Sequence, residues 1–202
     1  ASQGIIELDA AEVATLQSQT QLLTRLVEDL RTLSVVEAGQ VQLTLVPLDL
    51  QEVLRAAAVA HRPAAARKRV AVRLAALEDP VPVTADRDRL LQVLGNLLEN
   101  AIRVAPEGSD VKISARRRGE RIRVTVQDSG AGFTIDPPER IFHRFVHDAR
   151  RDERGGGSGL GLAIVRSLVL LQGGAVFAER VGELTEIGFE LPLDLHPHPG
   201  DR

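Results

Sequence analysis

A chain of 202 residues, 44% hydrophobic and 26% charged, has the composition of an ordinary globular protein, long enough for one sizeable core plus an extra element. Its net charge of −3 argues against a general nucleic-acid binder, and the absence of cysteine excludes disulfides, thiolate metal sites and cysteine nucleophiles. No apolar run reaches membrane-spanning length, and methionine is absent even at position 1, so the chain reads as a piece of something longer that carries any membrane segment.

Residues 9–36 pattern as a long amphipathic helix, with Asp9 and Glu12 as a capping box. Val13, Leu16, Thr20, Leu23, Val27, Leu30 and Ser34 recur at alternating steps of three and four, a heptad seam that Leu22, Leu26 and Leu33 widen. Such a stripe calls for a partner helix; the alternative is that it packs back on its own domain. Gly39 ends the helix, and a second domain opens with a strand over 41–46 that Pro47 breaks. Asp49 with Glu52 caps a helix over about 50–68, and short strands follow near 70–75 and 81–84. Asp86 caps the next helix, which Pro106 closes. Residues 110–118 and 121–128 alternate around Gly119-Glu120 as a hairpin. An irregular stretch leads to a helix over 160–172, stopped by Gly173-Gly174, and strands near 175–180 and 186–193 complete the core. The expected class is α+β, one mixed sheet with helices on one face behind a long N-terminal amphipathic helix. The divisions fall at 1–40, 41–194 and a disordered tail, 195–202.

Three features carry chemistry. "LGNLLENAIRVAP" places Asn96 and Asn100 four apart on one helix face among leucines, although asparagine is a mediocre helix former. A neutral amide oxygen is a hard ligand suited to Mg²⁺, which takes one or two protein oxygens plus phosphates and water; alternatively both amides satisfy buried backbone groups. "DSGAGF", 128–133, puts Asp128 at a strand end before a glycine turn. A carboxylate there can accept from a ligand's exocyclic amine, or simply brace the turn. "GGGSGLGLAIV", 155–165, runs glycines into a helix start, where backbone amides and the helix dipole favour an anion such as phosphate. No GK[ST] follows these glycines, so it is not a Walker loop.

In this order the motifs resemble those of sensor histidine kinases, in the GHKL ATP-binding superfamily. "NLLENAIRVAPEG" is similar to the family's N box, "DSGAGF" to its first glycine box, "ERIFHRF" to its F box, "GGGSGLGLAIV" to its second glycine box and "GFELPL" to its closing strand. "RLVEDLRTLSVVEAG" resembles the second helix of the dimerisation and histidine-phosphotransfer domain. The resemblance implies a Bergerat-type two-layer sandwich with ATP and Mg²⁺ as its ligands. It implies that Asn100 coordinates Mg²⁺, with Asn96 and Arg103 near the phosphates. Asp128 would bind the adenine amine, helped by Gly130 and Gly132. Phe142 and Arg144 would belong to the F box, Arg144 as a phosphate contact; 134–157 would be a mobile ATP lid; Gly157, Gly159, Leu160 and Gly161 would surround the triphosphate. Asn96 stands where hydrolysing relatives have a water-activating glutamate, which implies transfer to a histidine rather than to water. None of His61, His143, His147, His196 or His198 sits in the acceptor motif, so the acceptor is expected outside this chain. Val104 replaces a frequent aromatic residue beside the adenine, and Gln172 a frequent histidine. The implied partners are a response-regulator receiver domain and, in the intact protein, a second copy. The implied setting is the cytoplasmic face of a membrane-anchored bacterial protein.

Overall fold

The computed structural model describes residues 9–75, 81–146 and 158–193. Helix α1 spans Ala10–Glu37, strand β1 Val46–Asp49, α2 Leu50–Arg67, β2 Ala71–Leu74, β3 Pro82–Ala85 and α3 Arg87–Val104. The hairpin β4 (Asp110–Arg118) and β5 (Arg121–Asp128) leads to a short 3-10 helix, Pro138–Phe142. Helix α4, Gly161–Leu171, precedes the hairpin β6 (Ala175–Val181) and β7 (Leu184–Pro192).

Five strands form one mixed sheet in the order β2-β4-β5-β7-β6, with β2 parallel to β4 and every other pair antiparallel. The inward residues Val111, Ile113, Val124, Val126, Ile187 and Phe189 are all buried against a helical layer of α2, α3 and α4. Leu90, Leu94, Leu97 and Leu98 of α3 recur at the helical period and are fully covered, so α3 lies across the middle of the core. On the opposite face the Arg123 guanidinium stacks 3.5 Å from the Phe177 ring centroid and pairs with Glu179 at 2.6 Å.

Two expectations change. The strand expected over 41–46 forms instead at Val46–Asp49, with Pro47 inside it. It pairs only with β3, in a two-stranded ribbon separate from the main sheet. A strand paired on one side tolerates proline, which has no N–H to donate. The seam of α1 also divides along its length. Leu33 is buried in the core, with Leu26 and Val36 packed against it, whereas Val13, Leu16, Leu23, Val27 and Leu30 stay exposed.

Asp86 shows how the asparagine-bearing helix α3 is anchored. Its Oδ1 accepts the Asp88 and Arg89 amides, both at 3.1 Å, and its Oδ2 accepts the Thr44 amide at 2.9 Å. Its own amide donates to Gln172 Oε1 at 2.9 Å, so Gln172 ties the end of α4 to the start of α3. Burial raises the Asp86 carboxyl, but the three backbone donors, with the charge of Arg89, outweigh it and hold it below its ordinary value. The stabilisation is therefore fully present above the unfolded-state value, about pH 4, and is lost as pH falls through the lower folded-state value. Asp86→Ala is expected to cost about 1–2 kcal/mol at neutral pH. Urea denaturation should show the gap from wild type closing below about pH 4.

Candidate nucleotide-binding site

Along α3, Asn96 in mid-helix faces the start of α4, and about two turns further on Val104 meets the turn after β5. Asn96 and Asn100 are half-buried on α3. A Cβ added to Gly161 would lie 3.5 Å from Asn96 Oδ1, so Asn96 faces the first residue of α4 at ordinary contact distance. Among the described residues no side chain caps α4, which leaves the positive end of its dipole beside that amide. The Asn100 Oδ1 accepts from Arg103 Nη2 at 3.1 Å, so two residues of the N-box resemblance are already joined.

Asp128 is 2% exposed, and its Oδ1 accepts the Gly130 amide at 2.9 Å, the turn-bracing role. A Cβ on Gly130 would fall 2.8 Å from that oxygen and 2.9 Å from both Val104 Cγ2 and the Val104 carbonyl oxygen. The turn is thus pressed onto the end of α3, and only glycine fits. Gly132 has φ +77° and lies under the Arg180 guanidinium, not against Asp128.

At the second glycine turn, Leu160 is fully buried and Gly159 has φ +68°. The Gly159 carbonyl accepts the Phe145 amide at 3.0 Å, which joins the F-box segment to the turn. The Ser158 hydroxyl accepts the Leu160 amide at 3.2 Å and donates to Asp29 of α1 at 3.1 Å. Gly157 lies outside the described residues, as do 147–157 of the expected lid, His147, His196, His198 and the tail. Phe142 is a core residue, 1% exposed. Arg144 lines a cavity of about 410 Å³ with Phe142, His143, Ala163, Arg166 and Ser167. At 100° per residue, Ala163, Arg166 and Ser167 occupy the side of α4 away from Gly161, so this cavity does not face Asn96. His61 Nδ1 lies 2.8 Å from the Ala57 carbonyl oxygen.

Two residues were missed by sequence reasoning. Thr185 is fully buried, its hydroxyl has no hydrogen-bond partner among the described residues, and it pairs with Asp128 across β5 and β7. Lys68 Nζ donates to the Ile102 carbonyl at 2.8 Å and to that of Arg103, neutralising the end of α3. A buried orphan hydroxyl beside a buried carboxylate, and a turn at Gly130 that a methyl would crowd, fit a bound polar ring. Among the described residues no cluster of three histidine, aspartate or glutamate side chains is placed to hold a metal, so a cation would rest on amide oxygen and phosphates.

The family described as histidine kinase-, DNA gyrase B-, and HSP90-like ATPase matches residues 85–195. The signal transduction histidine-protein kinase BaeS of Escherichia coli K12 is 36% identical over 194 residues, covering 95% of this chain and 41% of its own length. The chain therefore spans less than half of that relative. Full-length ShkA in complex with AMPPNP superposes with a TM-score of 0.78 at 32% identity, over 96% of this chain and 41% of that one. Histidine kinase ThkA in complex with the response regulator protein TrrA gives 0.68 at 26% identity, over 92% of this chain and 53% of that one. From Asp86 to β7, the chain carries the fold and the ordered motifs of this family, and it belongs to the histidine kinase-, DNA gyrase B- and HSP90-like ATPases, as the ATP-binding catalytic region of their sensor-kinase branch.

Proposed function

We propose that the chain binds Mg-ATP and, in the protein it belongs to, presents the γ-phosphoryl to a histidine carried on another segment. The observation that carries this reading is the meeting of Asn96 with Gly161 at the uncapped start of α4. An amide has no basic lone pair with which to activate water, so Asn96 holds phosphate or water without driving hydrolysis. Asp128 and Thr185 read the base: the carboxylate accepts from its exocyclic amine, and the hydroxyl finds there the partner it lacks. Gly159 and Gly161 offer backbone amides to the phosphates, and Leu160 does so once its amide leaves the Ser158 hydroxyl. Asn100 Oδ1, now accepting from Arg103, is the oxygen that would hold Mg²⁺, and Arg103 would then be free to pair with a phosphate. Magnesium, when bound, neutralises the charge shared by the β- and γ-phosphates. Catalysis by these residues is positioning and electrostatic stabilisation.

The same reading assigns 1–40 to the dimerisation and phosphotransfer region, 41–194 to the catalytic domain and 195–202 to a tail. The exposed seam from Val13 to Leu30 then belongs to contact with the partner helix of a homodimer. A response-regulator receiver domain takes the phosphoryl from the histidine. Among the described residues no helix is long and apolar enough to cross a membrane, and the proposed setting is the cytoplasmic side of a membrane-anchored protein. The test is to mix the chain with a matching acceptor-helix domain and labelled ATP. Acid-labile, base-stable phosphate on the acceptor is expected; ATP binding with no transfer would contradict the kinase assignment.

A further inference from the structure

Asp128, Thr185 and Arg180 lie abreast on three neighbouring strands, since Asp128 pairs with Thr185 and Thr185 with Arg180. Directly paired residues of antiparallel strands project to one face. The row two residues further in on that face, Val126, Ile187 and Ala178, is buried and wholly apolar. The face therefore changes from core to polar at the edge where Asp128 sits, with a carboxylate, a hydroxyl and a guanidinium side by side.

The Arg180 side chain, although exposed, folds back onto neighbouring backbone. Its Nη1 donates to the Ala131 carbonyl and its Nε to the Gly182 carbonyl, both at 3.4 Å. A Cβ on Gly132 would fall 2.6 Å from Nη1 and 3.0 Å from Cζ, so the guanidinium fills the space that this glycine leaves open. Gly132 is buried beneath it while Ala131 is exposed. A side chain rooted on β6 thus clamps the turn that follows Asp128 at Gly132, while Val104 meets the same turn at Gly130. Holding a long exposed side chain in one place costs conformational entropy, and two long hydrogen bonds offset it only partly. A ligand that needs the turn in this position would supply the remainder.

On the nucleotide reading above, we propose that Arg180 is a positioning residue for the base: seated on Ala131 and Gly132, it fixes the turn after Asp128 and so sets affinity for the adenine ring, not for the phosphates. Arg180→Met keeps much of the stem and removes the clamp; Arg180→Lys keeps the charge and one donor. Calorimetric titration of the wild-type chain and both variants, with Mg²⁺, reads the effect for ADP and for ATP. Arg180→Met is expected to weaken both by the same factor, about tenfold, the scale of one charge-assisted hydrogen bond. Arg180→Lys is expected to recover part of that loss, and the thermal midpoint of both variants should match wild type.

Unchanged affinity for both nucleotides would overturn the proposal. So would a loss several-fold larger for ATP than for ADP, which would make Arg180 a phosphate contact. Hydrogen exchange in the free protein gives a readout that needs no nucleotide. The amides of Gly130 to Phe133 should exchange faster in Arg180→Met, and unchanged protection there would also overturn it. If wild type takes up no nucleotide while the exchange result holds, the nucleotide reading fails and the clamp on the turn stands.

Discussion

Asp128→Ala should lose affinity for ADP and ATP alike by about a hundredfold, the combined scale of a carboxylate hydrogen bond to the base and a relaxed binding turn. The carboxylate serves two purposes at once. Its Oδ1 holds the Gly130 amide, and Gly130 in turn presses on Val104, where no larger residue fits. Removing it frees the amide, lets the turn move off the end of α3 and deletes the acceptor for the exocyclic amine. Asp128→Asn separates the two contributions. An amide oxygen still braces Gly130, but its NH₂ repels an amine donor, so turn rigidity should survive and nucleotide affinity should not. Equilibrium titration with a fluorescent ADP analogue, paired with exchange rates at Gly130, checks both. An Asp128→Ala variant that binds ADP as wild type does would confine Asp128 to the bracing role.

Asn100→Ala should have an effect that exists only in magnesium. The Oδ1 of Asn100 is a neutral oxygen on a half-buried helix face, shared in this structure with the Arg103 guanidinium. If it is a cation ligand, its loss removes one of the few protein oxygens a magnesium ion uses beside phosphates and water. Mg-ATP affinity should fall about thirtyfold, a loss of about 2 kcal/mol, while ATP in excess chelator should bind both proteins equally. The α3 helix should not suffer, because alanine is the better helix former. Titrations with and without Mg²⁺ measure the difference. An equal loss in both conditions would make Asn100 a direct phosphate or structural contact, and no loss in either would remove it from the site.

The parts of the fold that local chemistry dictates were legible. Asp49 and Asp86 stand as helix caps, and the turn at Gly119 joins β4 to β5 as the alternation of Ile122, Val124 and Val126 requires. What pairing alone decides was not. Pro47 reads as a strand breaker, yet it sits in a strand because β1 has one neighbour only. The strand expected from 186 begins at Leu184, because Gly182 at φ +61° makes a tighter turn than the polar stretch suggests. That displacement hid Thr185, which became visible only once its register against Asp128 was known. Arg180 and Lys68 were hidden for a related reason. Each is an exposed-looking cation whose partners are backbone carbonyls far away in sequence, Ala131 for one and Ile102 for the other. Of the residues implied by resemblance, Asn96 faces Gly161, Asn100 is bonded to Arg103 and Asp128 to Gly130, while Phe142 is buried in the core and Arg144 lines a cavity with Arg166 and Ser167.

The proposed function depends on the chain taking up an adenine nucleotide through the residues of α3, the end of β5 and the start of α4. Isothermal calorimetry of the chain with ATP at saturating magnesium measures this directly. A saturable exothermic uptake near one nucleotide per chain, weakened about a hundredfold in Asp128→Ala, is predicted. No detectable uptake would contradict it.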